Sequence, residues 1–254
     1  LESLVFLDDS EFEINLVKKL LPDVESILVP DDPTRFITLL NLAAPFDSLS
    51  FSDEDLKRNQ MYLEDKNRHS LAKKLKDSSI EDYLKSLEME VVIKDCEQFT
   101  FSRISQLTLK TNQFNLTTKR YSESHIRDFC DDNQYSVRYL RVKDKFGDIG
   151  IVGLAISRIE TNKLIINSLL LSCRALGRGI ENLLLKDCFY IAKLHKCDKV
   201  IGIYNRTEKN KQVESFYQNS KFSLIRESNE SFEFECFIDN FLLDNNHYFK
   251  SVTY

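Results

Sequence analysis

The first fifty residues alternate short strand-like runs with helical patterns. Residues 4–7 are apolar, and the stretch after them sets Phe12, Leu16 and Leu20 on one helical face. A second strand-like piece, SILVP, precedes a helix that opens after Pro33. This strand–helix–strand–helix order is typical of α/β domains. Because two strands do not complete such a sheet, residues 1–50 are predicted to be the C-terminal remnant of a longer α/β domain.

The pattern changes over residues 51–99. The stretches SDEDLKRNQMYLEDKNRHSLAKKL and SIEDYLKSLEM are charged and have helical periodicity. They contain no internal repeat and no low-complexity tract. This segment is predicted to be a helical linker that joins two domains.

From about residue 100 the pattern predicts a complete mixed domain, residues 100–254. Helices are predicted at SRISQLTLK, SESHIRDFCDD, GIENLLLKDCFYIAKLHK and NKQVESFYQNS, and an extended piece at FNLTTKR. Strands are predicted at SVRYLRVKD, DIGIVGLAISRIE, LIINSLLL, KVIGIYN, KFSLIRES and SFEFECFI. The crossover over residues 164–204 should be parallel and the hairpins antiparallel. The predicted fold class is therefore α+β, with one mixed sheet flanked by helices.

Composition narrows the classes of function. The chain has 254 residues, 42% hydrophobic and 30% charged, with a net charge of −5. A mildly acidic chain is a poor general binder of nucleic acid, because neutralising phosphates needs a basic surface. No apolar run approaches the roughly 18 residues of a membrane span, and the acidic start is unlike a signal peptide. Six cysteines without a CxxC spacing argue against zinc and for a reduced, cytoplasmic protein.

Two carboxylates follow the first strand. Asp8 and Asp9 stand where open α/β sheets place their ligand sites, at the carboxyl end of a parallel strand. Paired oxygen ligands suit Mg²⁺. The alternative is that Asp9 or Ser10 caps the helix that follows. The sequence leaves both interpretations open.

The loop SCRALGRG, residues 172–179, joins a predicted strand to a predicted helix. Its glycines and the helix N-terminus can bind a phosphate group through main-chain N–H groups. Cys173 offers a second interpretation, since Arg174, Arg178 and the helix N-terminus favour a nucleophilic thiolate. The alternative is that Cys173 is a small buried residue that closes the loop.

The stretch KTNQFNLTTKR is dense in amides and hydroxyls, which make a poor core. Asn112, Gln113, Asn115 and Thr117 can hydrogen-bond a hydroxylated acyl group and its phosphate. We therefore expect substrate recognition here. The alternative is a capped, solvated loop.

The order of elements and the loop at residues 172–179 resemble the GNAT acyltransferase fold over about residues 100–240. TEKNKQVESFYQNSKF adds to this likeness through Asn210, Phe216, Tyr217 and Phe222. A closer resemblance is to the FkbH-like family of polyketide pathways, whose members join a HAD-type phosphatase domain to a GNAT-like domain. It is carried by LVFLDDSEFEIN, QLTLKTNQFNLTTKRYS and SLLLSCRALGRGIENLLL. Residues 1–50 then resemble the end of the HAD domain and residues 100–254 the GNAT-like domain.

The resemblance implies an acyltransferase. A glyceryl group from a small phosphorylated three-carbon acid would pass to the phosphopantetheine thiol of an acyl carrier protein, through a thioester on Cys173. Tyr217 matches the tyrosine that protonates the leaving thiolate in many GNAT enzymes. The resemblance also assigns a set of residues to binding of the cofactor, which is phosphopantetheine, coenzyme A or acetyl-CoA: Leu171, Arg174, Gly177, Arg178, Gly179 and Asn210.

The resemblance to a HAD domain is incomplete. The DxDxT motif of the aspartyl nucleophile is missing, so phosphatase activity is not expected from this chain. Asp8 and Asp9 match the metal-binding motif, which would hold Mg²⁺ in an intact HAD domain.

The cofactor loop can be aligned in two ways. Arg174, Gly177 and Gly179 satisfy the GNAT pattern directly, whereas the usual distance from the strand sets Glu181 at its last position. A carboxylate there repels a diphosphate, which favours a carrier thioester over free coenzyme A. A coenzyme A-dependent N-acetyltransferase and a non-catalytic module that docks a carrier protein remain the rival interpretations.

Overall fold

The computed structural model describes residues 4–43, 58–75, 78–241 and 248–254. The chain divides into two compact units, Leu1–Asp53 and Glu54–Tyr254. Within the described ranges no helix is long and apolar enough to cross a membrane.

The first unit has the strand–helix–strand–helix order that the sequence predicts. Its elements are β1 (Val5–Asp8), α1 (Glu11–Leu20), β2 (Glu25–Leu28) and α2 (Phe36–Ala43). The two strands are parallel, with Val5 opposite Glu25. Ser10 caps α1, because its Oγ accepts a hydrogen bond from the N–H of Glu13 at 3.4 Å. That the unit ends a HAD domain stays a prediction.

The second unit contains a nine-stranded sheet in the part of the chain that the structure describes. The strands are β3 (Glu90–Asp95), β4 (Phe114–Asn115), β5 (Tyr135–Asp144), β6 (Gly147–Ile159), β7 (Lys163–Leu171), β8 (Lys199–Asn205), β9 (Ser223–Glu227), β10 (Ser231–Phe237) and β11 (Ser251–Thr253). The helices are α3 (Arg58–Lys74), α4 (Ile80–Ser86), α5 (Phe101–Lys110), α6 (Glu123–Asp131), α7 (Ile180–Leu194) and α8 (Phe216–Asn219).

The sheet runs in the order β11-β3-β5-β6-β7-β8-β10-β9, and β4 pairs with β7. The β7–β8 and β11–β3 pairs are parallel and the others antiparallel. The parallel crossover and the closing β9–β10 hairpin are as predicted. The mixed α+β class is thereby confirmed.

Helices cover both faces of the sheet because the strands alternate two apolar sets. Val137 and Tyr139 on β5 share a core with Ile104 of α5 and Ile126 of α6. The other core includes Leu140 and Val142 of β5, which pack with a set of buried α7 residues: Leu184, Leu185, Cys188 and Ala192.

Two predicted elements differ from the structure. Residues 54–99 belong to the second unit, and EVVIKD within the predicted linker is a sheet strand whose Val91 and Ile93 are fully buried. The helix predicted at NKQVESFYQNS is broken into the 3₁₀ turn Lys211–Val213 and the four-residue α8. Asn210 precedes the 3₁₀ turn, and its side chain bonds to nearby main-chain groups in a non-helical conformation.

Candidate functional site

The strands β7 and β8 separate towards their carboxyl ends. They pair from Lys163 and Lys199 as far as Ile166 and Gly202, although β7 continues to Leu171. In sheets with a parallel crossover, ligand crevices open at this end of the strands. The gap between β7 and β8 is therefore a candidate crevice for a ligand.

The chain itself fills this gap with residues 114–117, here called the inserted segment. The N–H of Leu116 donates to the carbonyl of Leu169 at 3.1 Å, and the N–H of Asn205 donates to the carbonyl of Leu116 at 2.7 Å. On the β7 side, Phe114 and Asn115 also pair with Leu171 and Leu170. The inserted segment thus acts as a short strand between β7 and the end of β8, and it occupies the crevice.

Asn115 and Thr117 hold the inserted segment in position. Asn115 is fully buried; its Nδ2 donates to the carbonyl of Thr111 at 3.3 Å and its Oδ1 accepts from the N–H of Thr118 at 2.9 Å. The Thr117 hydroxyl donates to the carbonyl of Asn167 at 2.9 Å. The expectation that these two side chains bind substrate is corrected, because burial and main-chain partners occupy their polar atoms.

The other two amides of this stretch lie closer to the surface. Asn112 is half-buried and its Oδ1 accepts a hydrogen bond from Arg120, and Gln113 is exposed. Arg120 also donates to the carbonyls of Leu109 and Thr111, at the end of α5. This part of the stretch behaves as the capped loop that the sequence left open as an alternative.

Asn210 is likewise structural. Its side chain is fully buried; Nδ2 donates to the carbonyls of Asn115 at 2.9 Å and Asn205 at 2.8 Å. Its Oδ1 accepts from the N–H of Thr207 at 2.8 Å and from the hydroxyl of Tyr204 at 3.2 Å. The predicted cofactor contact of Asn210 is therefore corrected, because its four hydrogen bonds tie the inserted segment to the end of β8.

The loop after β7 contains the predicted phosphate-binding glycines. A 3₁₀ turn, Cys173–Ala175, leads to Gly177 at φ +72° and to Gly179 at φ +69°, which caps α7. Both positive φ values favour glycine. A Cβ on Gly177 would meet open space, so this glycine is required by its backbone angle rather than by a close neighbour. Leu171, the last residue of β7, is fully buried in the core.

The two arginines of the loop contact other parts of the second unit. Arg174 donates from Nη1 to the sulfur of Met61 on α3 at 3.0 Å. Arg178 Nη1 lies 3.8 Å from Asp144 Oδ2, which also accepts from Arg68 Nε at 2.6 Å. Burial, and then the nearby Arg68, lower the pKa of Arg178. The Arg178 guanidinium thus lies beside a buried charge cluster, but its Nη1 has no hydrogen-bond partner among the described residues, so its predicted contact with a cofactor stays a prediction.

Cys173 differs from most of the cysteines. It is exposed, whereas Cys188, Cys197 and Cys236 are buried as small core residues. Cys130 is also exposed at its surface, but desolvation and the neighbouring Cys96 raise the pKa of its thiol to about 12. The alternative that Cys173 closes the loop as a buried residue is therefore excluded.

Tyr217 lies in the core rather than at a site. Its ring contacts those of Phe216, Phe222 and Phe234, and it leaves no room for a Cβ on Gly202. The residue has 0% exposure, and burial raises the pKa of its phenol well above the ordinary value. The predicted role as proton donor to a leaving thiolate is corrected, because the hydroxyl is sealed from any ligand in this structure.

An open pocket of about 280 Å³ lies beside the loop. It joins the inserted segment, the start of α7 and the turn around α8. The lining residues are Phe114, Leu176, Gly177, Glu181, Gln212, Val213, Ser215, Phe216 and Asn219. Of the predicted cofactor residues Gly177 lines it. Phe216 is a wall residue that was not predicted to contact a ligand, although it precedes Tyr217 in the same aromatic pair.

Glu181 gives this pocket its electrostatic character. It stands in the first turn of α7, and its Oε2 is buried without a hydrogen-bond partner in the structure as described. Desolvation by burial raises the pKa of this carboxyl group. A carboxyl group there accepts hydrogen bonds from a ligand and, when ionised, repels an anion.

The carboxylates of the first unit do not make a metal site by themselves. The Oδ1 of Asp8 accepts the N–H of Ser10 at 2.8 Å, so it supports the cap of α1. Within the described ranges, no three His, Cys, Asp or Glu residues come together as ligands. Because Mg²⁺ keeps about six oxygen ligands, Asp8 and Asp9 remain a prediction for an intact HAD domain.

No protein-family model matches the chain, and no curated protein matches it. Among solved structures, the ribosomal-protein-S18-alanine N-acetyltransferase of Escherichia coli is similar at 11% identity, with a TM-score of 0.46 over 63% of this chain and 99% of that one. The GNAT domain of S. lividans PAT is 10% identical, with a TM-score of 0.45 over 57% and 89%. The PaiA N-acetyltransferase of Thermoplasma acidophilum, solved with coenzyme A, is 15% identical, with a TM-score of 0.43 over 57% and 97%.

Proposed function

We propose that the second unit is an acyltransferase module. It moves a glyceryl-type acyl group from a phosphorylated three-carbon acid to the phosphopantetheine thiol of an acyl carrier protein, through a thioester on Cys173. The first unit is proposed to end a HAD-type phosphatase domain. The observation that carries the proposal is the exposure of Cys173 at the carboxyl end of β7, in the loop that leads to the pocket and to the N-terminus of α7.

The proposed chemistry has two thioester steps. The Cys173 thiolate attacks the carbonyl carbon of the acyl phosphate, a sulfur–carbon bond forms, and phosphate leaves with the bonding electrons. The carrier thiol then loses its proton and attacks the same carbon. The carrier thioester forms while the bond to Cys173 breaks, and the Cys173 sulfur regains a proton.

A carrier thiol is favoured over coenzyme A by the charges around the loop. Glu181 contributes a carboxyl group to the pocket wall, and Arg178 does not line the pocket. A diphosphate would meet this carboxyl group, whereas a carrier-bound pantetheine has no diphosphate.

Acetyl-CoA-dependent transfer is the second candidate. The backbone of Gly177 and Gly179 at the start of the fifteen-residue α7 favours it, because such N–H groups can bind phosphate. Calorimetry separates the candidates, since tight binding of coenzyme A supports the second and weak, salt-insensitive binding supports the first.

The proposal is tested by running the second step in reverse. The chain is incubated with a carrier protein bearing a glyceryl thioester, and both proteins are weighed by intact mass spectrometry. We expect the glyceryl mass on the chain, its loss in Cys173→Ala and its retention in Cys130→Ala, which removes the other exposed cysteine. Labelling that persists in Cys173→Ala, or that never occurs with the wild-type chain, would overturn the proposal.

A further inference from the structure

We propose that the outward side of α3 is the docking surface for the body of the carrier protein, which meets it with an acidic surface that includes an apolar side chain. This outward side is here called the α3 face, and its residues are Tyr62, Leu63, Lys66, Lys73 and Lys74. The inference rests on the proposed function, which supplies the carrier. It adds the surface that the carrier contacts while the thioester on its arm reaches Cys173.

The α3 face is the uncovered side of a helix whose other side is fixed to the second unit. On the inner side, Arg68 is buried and donates two hydrogen bonds to Asp144, and Leu71 packs against a hydrophobic core. On the outer side, Tyr62 is 66% exposed and Leu63 is 65% exposed. Adjacent exposed apolar side chains that are bordered by polar residues are typical of protein interaction sites.

The charge of the α3 face is opposite to that of the whole chain. The chain has a net charge of −5, yet the exposed residues of α3 include Lys66, Lys73 and Lys74 and, among those that the structure describes, no Asp or Glu. Lys66 is one helical turn from Tyr62 and Leu63, so a cation borders the apolar pair. A partner that fits places carboxylates opposite the lysines and an apolar side chain on the pair.

The position of α3 beside the cysteine loop selects the carrier as that partner. Arg174 directly follows Cys173 and donates from Nη1 to the sulfur of Met61 at 3.0 Å. Met61 precedes Tyr62 in α3. The apolar pair is therefore next to the loop on which the proposed nucleophile stands. A protein whose thioester must reach Cys173 needs a docking surface near this loop, and the α3 face is such a surface.

A second exposed patch has the same composition but a different position. Tyr190, Lys193 and Leu194 are exposed towards the end of α7. Because α7 begins directly after the cysteine loop, a rise of 1.5 Å per residue sets these side chains about 15–21 Å away along the helix axis. This patch matches the α3 face in residue types and lies farther from Cys173, so it is the control.

The experiment measures acylation of Cys173 by a carrier protein bearing a glyceryl thioester, at a series of carrier concentrations, by intact mass spectrometry. Tyr62→Gln combined with Leu63→Gln should raise the half-saturating carrier concentration about tenfold and leave the maximal rate unchanged, because only the contact with the carrier body is lost. Lys66→Glu should raise it about fivefold, and this difference should shrink at high salt.

Two controls accompany these variants. Tyr190→Gln combined with Leu194→Gln, and separately Lys193→Glu, make the same changes on α7 and should behave like wild type. Glyceryl pantetheine is a donor without a carrier body, so it should acylate wild type and the α3 variants at equal rates.

Three results would overturn the inference. The first is an equal half-saturating concentration in the α3 and α7 variants. The second is an equal loss with glyceryl pantetheine, since the α3 substitutions would then act on the cysteine loop itself. The third is a wild-type dimer that the α3 substitutions convert to a monomer in light scattering, which would assign the face to a second copy of the chain.

Binding without chemistry separates this inference from the proposed function. Fluorescence anisotropy measures the affinity of a labelled carrier for Cys173→Ala, with and without the α3 substitutions. If these substitutions weaken binding about tenfold while wild-type Cys173 is never acylated, the docking surface stands and the proposed function falls. If Cys173 is acylated and the substitutions change neither binding nor the half-saturating concentration, the function stands and the docking surface falls. Absence of carrier binding to Cys173→Ala would also overturn the docking surface.

Discussion

Asn210 donates a hydrogen bond of 2.9 Å to the carbonyl of Asn115, across 95 positions of the sequence. This bond connects the turn after β8 to the inserted segment. The same amide group bonds to Asn205 and Thr207, so the three parts of the chain around the crevice share one buried side chain.

We expect Asn210→Ala to destabilise the second unit and open the crevice. The substitution leaves buried main-chain groups unpaired, at a cost of roughly 1–3 kcal/mol for each group. Urea unfolding and amide hydrogen exchange at Leu116 measure the two effects. Asn219→Ala is the control, since Asn219 is exposed and makes a long hydrogen bond of 3.4 Å to Ser215. Equal stability of the two variants would contradict the structural role of Asn210.

Asp144→Asn should destabilise the protein by about 3 kcal/mol. Asp144 accepts two hydrogen bonds from Arg68, at 2.6 and 2.8 Å, and its side chain is fully buried. The variant keeps an oxygen for the N–H groups of Phe146 and Gly147 but removes the charge that balances Arg68 and Arg178. Urea unfolding is the measurement.

The matched control for this cluster is Asp148→Asn. The ion pair between Asp148 and Arg141 is largely exposed, so its loss should cost no more than about 1 kcal/mol. If both variants lose the same stability, the buried cluster does not anchor the loop to β5 and α3.

Tyr217→Phe should leave acyl transfer unchanged and stability equal or higher by up to about 1 kcal/mol. The Tyr217 hydroxyl is buried near the backbone of Ile203 without a hydrogen bond of normal geometry. Tyr204→Phe is the contrast, because it removes a bond to Asn210 and should cost about 1 kcal/mol. A large loss of transfer rate in Tyr217→Phe, at unchanged stability, would restore its catalytic role.

Alkylation by iodoacetamide should distinguish the two exposed cysteines. The reagent reacts with thiolates, and burial raises the pKa of Cys130 to about 12, so its labelling near pH 7 should be slow and should rise with pH. We expect the exposed Cys173 to be labelled first. Peptide mass spectrometry over a pH series checks this, and faster labelling of Cys130 at neutral pH would contradict it.

Several elements could be predicted because their signals are local. The period of α7, the alternation along β5 and the turn before β6 depend on neighbouring residues alone, and all three are present. β3 was missed although EVVIKD is rich in β-branched residues, because the charged helices before it dominated the interpretation of that region. The turn around Asn210 was missed because one of the hydrogen bonds that hold it is made to Asn115, 95 positions away.

The candidate site shows the same contrast between local signals and contacts made by distant segments. Periodicity and turn chemistry by themselves determined the mixed sheet, the loop after β7 and its glycines, because each depends on backbone preferences that a few residues set. Only the tertiary structure decided which of these side chains are accessible from outside the core. It buried Asn115, Asn210 and Tyr217, and it left Cys173 and the Glu181 pocket open. Burial depends on what packs from elsewhere in the chain, and here the inserted segment, far from β8 in sequence, closes the crevice.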